Sequence, residues 1–262
     1  MAGSLVQDKV VLITGAGSGI GRATAHLSAE EGALVVVAAD LDPQRADETA
    51  RSIAKSGGAA WAAQMDVTDA RAVEAVIANV LTRHGRLDCA VNNAGIQGRL
   101  GPITSCTDAD WRAVMAVNLD GVFHCLRAEI PALAELGGGA IVNVASGVTI
   151  DPVPGMPAYV ASKFAVLGLT RTVAGEVSGY GIRVNAVLPG GTRTEAFDRY
   201  LATMPDGGAK RRARMPMGRF GEAREVADAI VWLCSDRAAY VHGATLAIDG
   251  GQHGFANRQL DG

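Results

Sequence analysis

No apolar run in the 262 residues approaches the ~20 residues that a membrane-crossing helix needs; the longest, such as Leu34 to Ala39, have the length of a strand. No membrane contact is expected. Cysteine is scarce: the four, Cys89, Cys106, Cys125 and Cys234, show no paired spacing, which argues against a disulfide framework and for reduced thiols with no metal. Charged residues are only 19% and carry no basic excess, the net being −3, so nucleic acid and anionic lipid find no broad attraction. Met1-Ala2-Gly3-Ser4 leads almost at once into a strand pattern, leaving no stretch for a secretory leader, and a cytoplasmic location is expected. One basic cluster, Lys210-Arg211-Arg212-Ala213-Arg214, stands against the balance. Such a run is more often a solvated face than a site for a phosphorylated or carrier-linked substrate, and the solvated face is expected here.

What is present is hydrophobic, 48% of residues, and arranged in alternating short and long apolar patterns. Strand-type runs fall at Val10–Thr14, Leu34–Asp40, Trp61–Met65, Cys89–Asn92, Gly139–Ala145, Arg183–Leu188 and Thr245–Ile248. Between them Ile20–Gly32, Pro43–Ser56, Ala70–His84, Asp108–Leu136, Ala158–Gly179 and Ala223–Ser235 repeat apolar residues every three or four positions, as helices do. Alternation of this kind predicts a single doubly wound α/β domain over 1–262, a parallel sheet of about seven strands with helices on both faces. From Pro189-Gly190-Gly191 to about Gly221 no period is evident, and residues 190–220 read as a lid over a substrate.

The first strand runs into Thr14-Gly15-Ala16-Gly17-Ser18-Gly19-Ile20-Gly21, and a helix pattern begins at once. Gly15, Gly19 and Gly21 permit a sharp turn and close approach, while the N–H groups about Ser18 and Ile20 open toward an anion such as a pyrophosphate. The second strand ends at Asp40, where a carboxylate accepts from ribose hydroxyls and repels a 2′-phosphate, favouring NAD over NADP; Arg22 and Arg45 are the nearby cations that weigh the other way. Asp66 and Val67, and Asn92-Asn93-Ala94-Gly95, follow the third and fourth strands, where ligands sit in open α/β sheets. Asp66 is assigned to the adenine end, with a helix N-cap as its other reading, and Asn93 and Gly95 to the same dinucleotide groove.

Tyr159 and Lys163 are four residues apart in a helical pattern and so share a face. A phenol is a poor base at neutral pH unless a nearby cation favours the phenolate, and an ammonium one turn away supplies one. Ser146 follows the fifth strand, where its hydroxyl meets a substrate oxygen. Asn118 lies within a helix pattern, an unfavourable place for a side chain that competes with backbone, and calls for a buried partner or a duty.

With these residues the chain resembles the short-chain dehydrogenase/reductase family, in its NAD-dependent branch of Rossmann-type domains. The resemblance covers nearly the whole chain: Thr14-Gly15 with Gly19 and Gly21, Asn92-Asn93-Ala94-Gly95, Asn118, Ser146 with Tyr159 and Lys163, Pro189-Gly190 with Thr194, and Ile248-Asp249-Gly250-Gly251. It implies that Ser146 orients the substrate oxygen, that Tyr159 transfers the proton, and that Lys163 lowers the Tyr159 pKa and binds the nicotinamide ribose. It further implies that Asn118 holds a relay water and that Pro189, Gly190, Thr192 and Thr194 meet the cofactor. Thr192 departs from the branched aliphatic residue more usual there, and His242 from a threonine; for His242 a surface or interface place is expected over a catalytic one.

Pocket walls are expected from Ile96, Gln97, Val148, Val153 and Phe197, mostly apolar, which suits a small hydrophobic or cyclic secondary alcohol or ketone. The resemblance implies a homotetramer. Two other readings stay open: an NADPH-dependent 3-oxoacyl-carrier ketoreductase, against which Asp40 speaks, and a non-catalytic NAD-binding sensor or scaffold, which has no need of Ser146, Tyr159 and Lys163. The tail 252–262 has no assigned role.

Overall fold

The computed structural model describes residues 4–213 and 215–255. Valine and isoleucine dominate the strands, whose β-branched side chains pack well on a pleated surface. In chain order the strands are β1 (Val10–Thr14), β2 (Val35–Asp40), β3 (Ala60–Gln64), β4 (Cys89–Asn92), β5 (Gly139–Val144) and β6 (Ile182–Pro189). A two-residue ladder of β7 (Thr192–Arg193) with β8 (Gly221–Glu222) precedes the last strand, β9 (Thr245–Ile248). Seven of them pair parallel in the order β3-β2-β1-β4-β5-β6-β9. The chain winds outward from β1 in one direction and from β4 in the other, so a crevice opens between their C-terminal ends.

Successive strand residues point to opposite faces, and each face carries its own core. Val10 and Leu12 join residues of α3 (Ala70–His84), α5 (Gly121–Glu135) and α6 (Pro157–Val177) on one side. Val11 and Ile13 join α1 (Gly19–Glu30), Ile53 of α2 (Pro43–Lys55) and α9 (Ala223–Cys234) on the other. The domain is thus a three-layer α/β sandwich with the expected sheet. None of its helices among the described residues is long and apolar enough to cross a membrane. Cys89, Cys125 and Cys234 are buried, Cys106 is partly exposed, and all four are free thiols.

Two stretches differ from the sequence reading. The helix expected over 108–136 is interrupted: α4 (Asp108–Met115) passes through one π-helical turn, Ala116–Asp120, into α5. Asn118 sits in that turn, whose wider winding turns the side chain inward. The segment without a period contains α7 (Glu195–Ala202), capped by Thr194 Oγ1 accepting from Phe197 N at 3.1 Å, and α8 (Ala209–Ala213). Both are too short for a period to show. After β9 the chain makes one more turn, α10 (Gln252–Phe255), while positions 256–262 of the tail lie outside the described residues.

Candidate active site

A cavity of about 510 Å³ occupies the crevice at the C-terminal ends of the strands. Its floor on one side is the glycine turn. Gly15 and Gly19 adopt φ of +63° and +52°, open to glycine and costly for other residues. A Cβ on Gly21 would stand 2.2 Å from the Gly15 carbonyl oxygen, so only hydrogen fits where α1 meets the turn. Ser18, the N-cap of α1, makes no side-chain cap bond, which leaves the helix N-terminus and its N–H groups to an anion.

The turn is stapled from β4. Thr14 Oγ1 accepts from the N–H groups of Asn93 and Ala94 at 3.0 and 2.9 Å, and Asn93 Nδ2 donates to the carbonyls of Thr14 and Gly15 at 2.9 and 3.2 Å. Asn93 therefore spends its amide on backbone, while still lining the cavity beside Gly95.

Asp40 closes β2, where its carboxylate accepts from Gly17 N at 2.8 Å and Asp42 N at 3.0 Å. Asp42 caps α2, so that duty does not fall to Asp40. Arg22 pairs with Glu48 at 3.6 Å, and Arg45 with Glu195 at 3.4 Å and Asp42 at 3.6 Å. Asp66 lines the cavity with Val67 and accepts from the N–H and hydroxyl of Thr68 at 2.9 and 2.7 Å; the N-cap of α3 is Asp69.

On the other side of the crevice Ser146 follows β5 and Tyr159 and Lys163 project from the first turns of α6. Burial holds the Tyr159 phenol above its usual pKa, opposed by the Ser146 side chain. Lys163 is buried, and that burial alone lowers its ammonium to about 8. Its Nζ donates to Val144 O at 2.8 Å and stands 5.8 Å from the centre of the Tyr159 ring. Desolvation is the largest influence on both groups.

Asn118 is wholly buried. Its Oδ1 accepts from Ile96 N at 2.8 Å, and its Nδ2 donates to Ile96 O at 2.9 Å and Ser162 Oγ at 3.1 Å. The side chain is thus consumed in holding the loop after β4. Gly95 fits between: a Cβ there would lie 3.2 Å from Asn118 Oδ1 and 3.4 Å from Lys163 Nζ.

Beneath this platform Asn92 Nδ2 donates to Asn143 Oδ1 and to Glu129 Oε2, each at 3.0 Å. Glu129 has no solvent exposure, and burial raises its carboxyl to about 7. Asn92 Oδ1 and Glu129 Oε1 are both buried without a partner. The sequence carried a signal here, a glutamate on the apolar face of α5, which was not singled out.

Pro189 ends β6 at the cavity, and Gly190 follows it there, its N donating to Ile248 O at 2.9 Å. The Thr192 hydroxyl turns back to Gly190 O at 3.2 Å. Ile96, Gln97, Val148, Val153 and Phe197 all line the same cavity, as do Thr192 and Thr194.

Several lining residues were missed from sequence. Met156 and Tyr200 carried no motif. Arg211 leaves the expected solvated face: it is partly buried, lines the cavity, and stacks 5.8 Å from the ring centres of Phe197 and Tyr200, while Lys210 and Arg212 remain exposed. Arg214 lies outside the described residues. Gln252 and His253 reach the cavity from α10. His242 is exposed, as expected, and stays out of the cavity lining: its ring accepts from Val184 N at 3.1 Å and bonds Ala174 O at 2.7 Å, stitching β6 to α6.

A phenol and a serine hydroxyl lining one cavity, with a buried amine one turn away and a glycine-turn cradle facing them, are suited to proton transfer at a carbinol or carbonyl oxygen. Comparison with known proteins agrees with that chemistry. A family model described as Enoyl-(Acyl carrier protein) reductase matches residues 15–253. The chain is 40% identical to a 3-oxoacyl-(acyl-carrier-protein) reductase of Thermotoga maritima over 94% of this chain and 98% of that one. It is 37% identical to a cyclohexanol dehydrogenase of Acinetobacter sp. over 93% of this chain and 94% of that one. The solved structure of a levodione reductase superposes with a TM-score of 0.92 at 36% identity, covering 95% and 99% of the two chains. The chain belongs to the short-chain dehydrogenase/reductase family, oxidoreductases that act on CH–OH groups with a nicotinamide cofactor.

Proposed function

We propose that the protein is an NAD-dependent dehydrogenase that moves a hydride between NAD(H) and a small secondary alcohol or ketone, hydrophobic or cyclic, with Tyr159 as the acid/base. The observation that carries this reading is that Ser146, Tyr159 and Lys163 line one cavity with the glycine turn, Lys163 Nζ lying 5.8 Å from the Tyr159 ring centre. The cradle fits a dinucleotide: Gly15, Ser18, Gly19, Ile20 and Gly21 for the pyrophosphate, Asp40 for the adenosine ribose, Asp66 and Val67 for adenine. Asn93, Gly95, Lys163, Pro189, Gly190 and Thr192 fit the nicotinamide half, with Thr194 near the pyrophosphate side. Asp40 repels a 2′-phosphate, and the arginines nearest it are already paired with carboxylates.

When bound, nicotinamide accepts or supplies the hydride. Ser146 positions the substrate oxygen. In oxidation Tyr159 takes the hydroxyl proton, and in reduction it returns one to the carbonyl oxygen. Burial raises the phenol's pKa, so oxidation, which needs the phenolate as base, grows as pH rises. Lys163 holds the nicotinamide ribose, and Asn118 keeps the post-β4 loop and the Lys163 environment in place. Residues 190–220 serve as the lid, and Ile96, Val148, Val153 and Phe197 form the apolar wall, with Gln97 as a polar member. Similarity to a cyclohexanol dehydrogenase supports a cyclic substrate. Exposed Trp111, Phe123 and Phe164 on α4, α5 and α6 support assembly as a homotetramer, in the cytoplasm.

A second reading, an NADPH-linked ketoreductase of carrier-bound acyl groups, is favoured by Arg211 in the cavity. Nicotinamide absorbance with NAD⁺ or NADP⁺ and a panel of cyclic and acyclic secondary alcohols separates them. The expected result is NAD⁺-linked turnover reduced by about 10³-fold in Tyr159→Phe. Turnover with NADP⁺ alone rejects the Asp40 argument, and turnover unaffected in the variant rejects the role of Tyr159.

A further inference from the structure

The chain beyond β9 builds something the hydride-transfer site does not require. Asp249 follows the last strand and packs on Gly190, whose Cβ, if present, would stand 2.7 Å from that of Asp249. Its carboxylate accepts from the N–H groups of Gly251 and His253 at 2.9 and 3.1 Å, closing a turn. It also accepts from the His253 ring at Nδ1, 2.6 Å away. Gln252 Oε1 accepts from Gly191 N at 3.2 Å and clips this turn to the loop after β6.

The imidazole is thereby pressed against Gly147, the residue after Ser146. A Cβ on Gly147 would lie 2.0 Å from the ring's Cε1 and 2.8 Å from Nε2, so glycine at 147 is what admits the ring. Both side chains are withdrawn from solvent, His253 at 4% and Asp249 at 10% exposure, yet the ring lines the cavity that holds Ser146 and Tyr159. Among the described residues Nε2 has no hydrogen-bond partner.

A histidine whose Nδ1 faces a carboxylate carries its proton there, which makes Nε2 of the neutral ring an acceptor. A latch for the chain end needs only Nδ1. An acceptor that lines the substrate cavity and is unmet by protein is placed to take a donor from a ligand. The reacting oxygen is already served by Ser146 and Tyr159, so that donor belongs to a neighbouring carbon.

We infer that His253, aimed by Asp249, binds substrate directly: Nε2 accepts a hydrogen bond from a second hydroxyl, and the preferred substrate is a vicinal diol rather than a lone secondary alcohol. The inference rests on the dehydrogenase reading above and narrows its substrate class.

The test compares full-length wild type, His253→Leu and His253→Gln with NAD⁺, using lone secondary alcohols each paired with the corresponding vicinal diol. Wild type is expected to favour the diols in kcat/KM by about tenfold or more, because a site built for a hydroxyl rejects the analogue lacking it. His253→Leu should collapse that ratio mainly through KM, and His253→Gln, which keeps an acceptor, should restore part of it. Circular dichroism and NAD⁺ affinity report whether each variant is folded. A diol-to-alcohol ratio equal in wild type and His253→Leu overturns the inference, as does an equal loss on both substrates, which marks a latch only. Absence of turnover by wild type on every alcohol, with either cofactor, fails the dehydrogenase reading and this inference together.

Discussion

On the β1 and β4 side of the cavity, position is set by backbone: the glycine turn, the N-terminus of α1, and amides stapled to carbonyls by Thr14 and Asn93. The opposite wall is assembled from side chains that arrive separately, Phe197 from α7, Arg211 from α8, Gln252 and His253 from α10. A backbone-built wall has nothing that can give way. A side-chain wall can be altered by degrees, which lets one frame serve different substrates.

The sharpest way to break that contrast is Gly21→Ala. The added carbon meets the Gly15 carbonyl at 2.2 Å, backbone against backbone, with no flexible end to swing aside. Overpacking of this kind costs about 1–3 kcal/mol, so NAD⁺ affinity by calorimetry should fall by roughly 5-fold to 150-fold. A fall below threefold with the fold intact shows that the turn yields, and the contrast is lost.

Legibility from sequence follows the same division. Gly15, Asp40, Ser146, Tyr159 and Lys163 were readable because each stands at a fixed offset from a strand end or on one helix face. Arg211 was read as solvated because charge runs usually are; its stacking on Phe197 and Tyr200 depends on α7 and α8 folding back, which no local period reveals. His253 needed Asp249, and the space left by Gly147, which is more than a hundred residues away in sequence. Asn118 was legible as an anomaly, though its partners, Ile96 and Ser162, were not.

The frame itself has one weak point. Glu129, beneath the platform, is raised from 4.5 to about 7 by burial, and Asn92 Oδ1 beside it lacks a donor. With the folded pKa above the unfolded one, the folded state binds the extra proton between these values. Stability is therefore full below about pH 4.5 and declines as pH rises toward about 7. Glu129→Gln keeps the volume, removes the ionisable group and adds an N–H donor that can face Asn92. Denaturant unfolding should show the variant more stable by roughly 3 kcal/mol at about pH 8, with the gain fading below about pH 5. A gain independent of pH would mean that packing, not ionisation, is what the glutamine changes.

The smallest effect separates the two readings of the substrate wall. In Arg211→Ala the guanidinium is lost from the rings of Phe197 and Tyr200, a cation–π contribution of about 0.5–1 kcal/mol at partly exposed sites. For a neutral alcohol that loss loosens the wall and should raise KM about threefold to fivefold, with NAD⁺ affinity within about twofold of wild type. If Arg211 instead meets a phosphate or carboxylate on a carrier-linked substrate, removing it strands that charge, and the penalty grows to about 2–5 kcal/mol for that substrate alone. Steady-state kinetics on a neutral cyclic alcohol and on an acyl thioester therefore read one residue in two ways: a modest, shared rise in KM assigns Arg211 to packing, while a loss confined to the anionic substrate assigns it to recognition and moves the wall toward the ketoreductase reading.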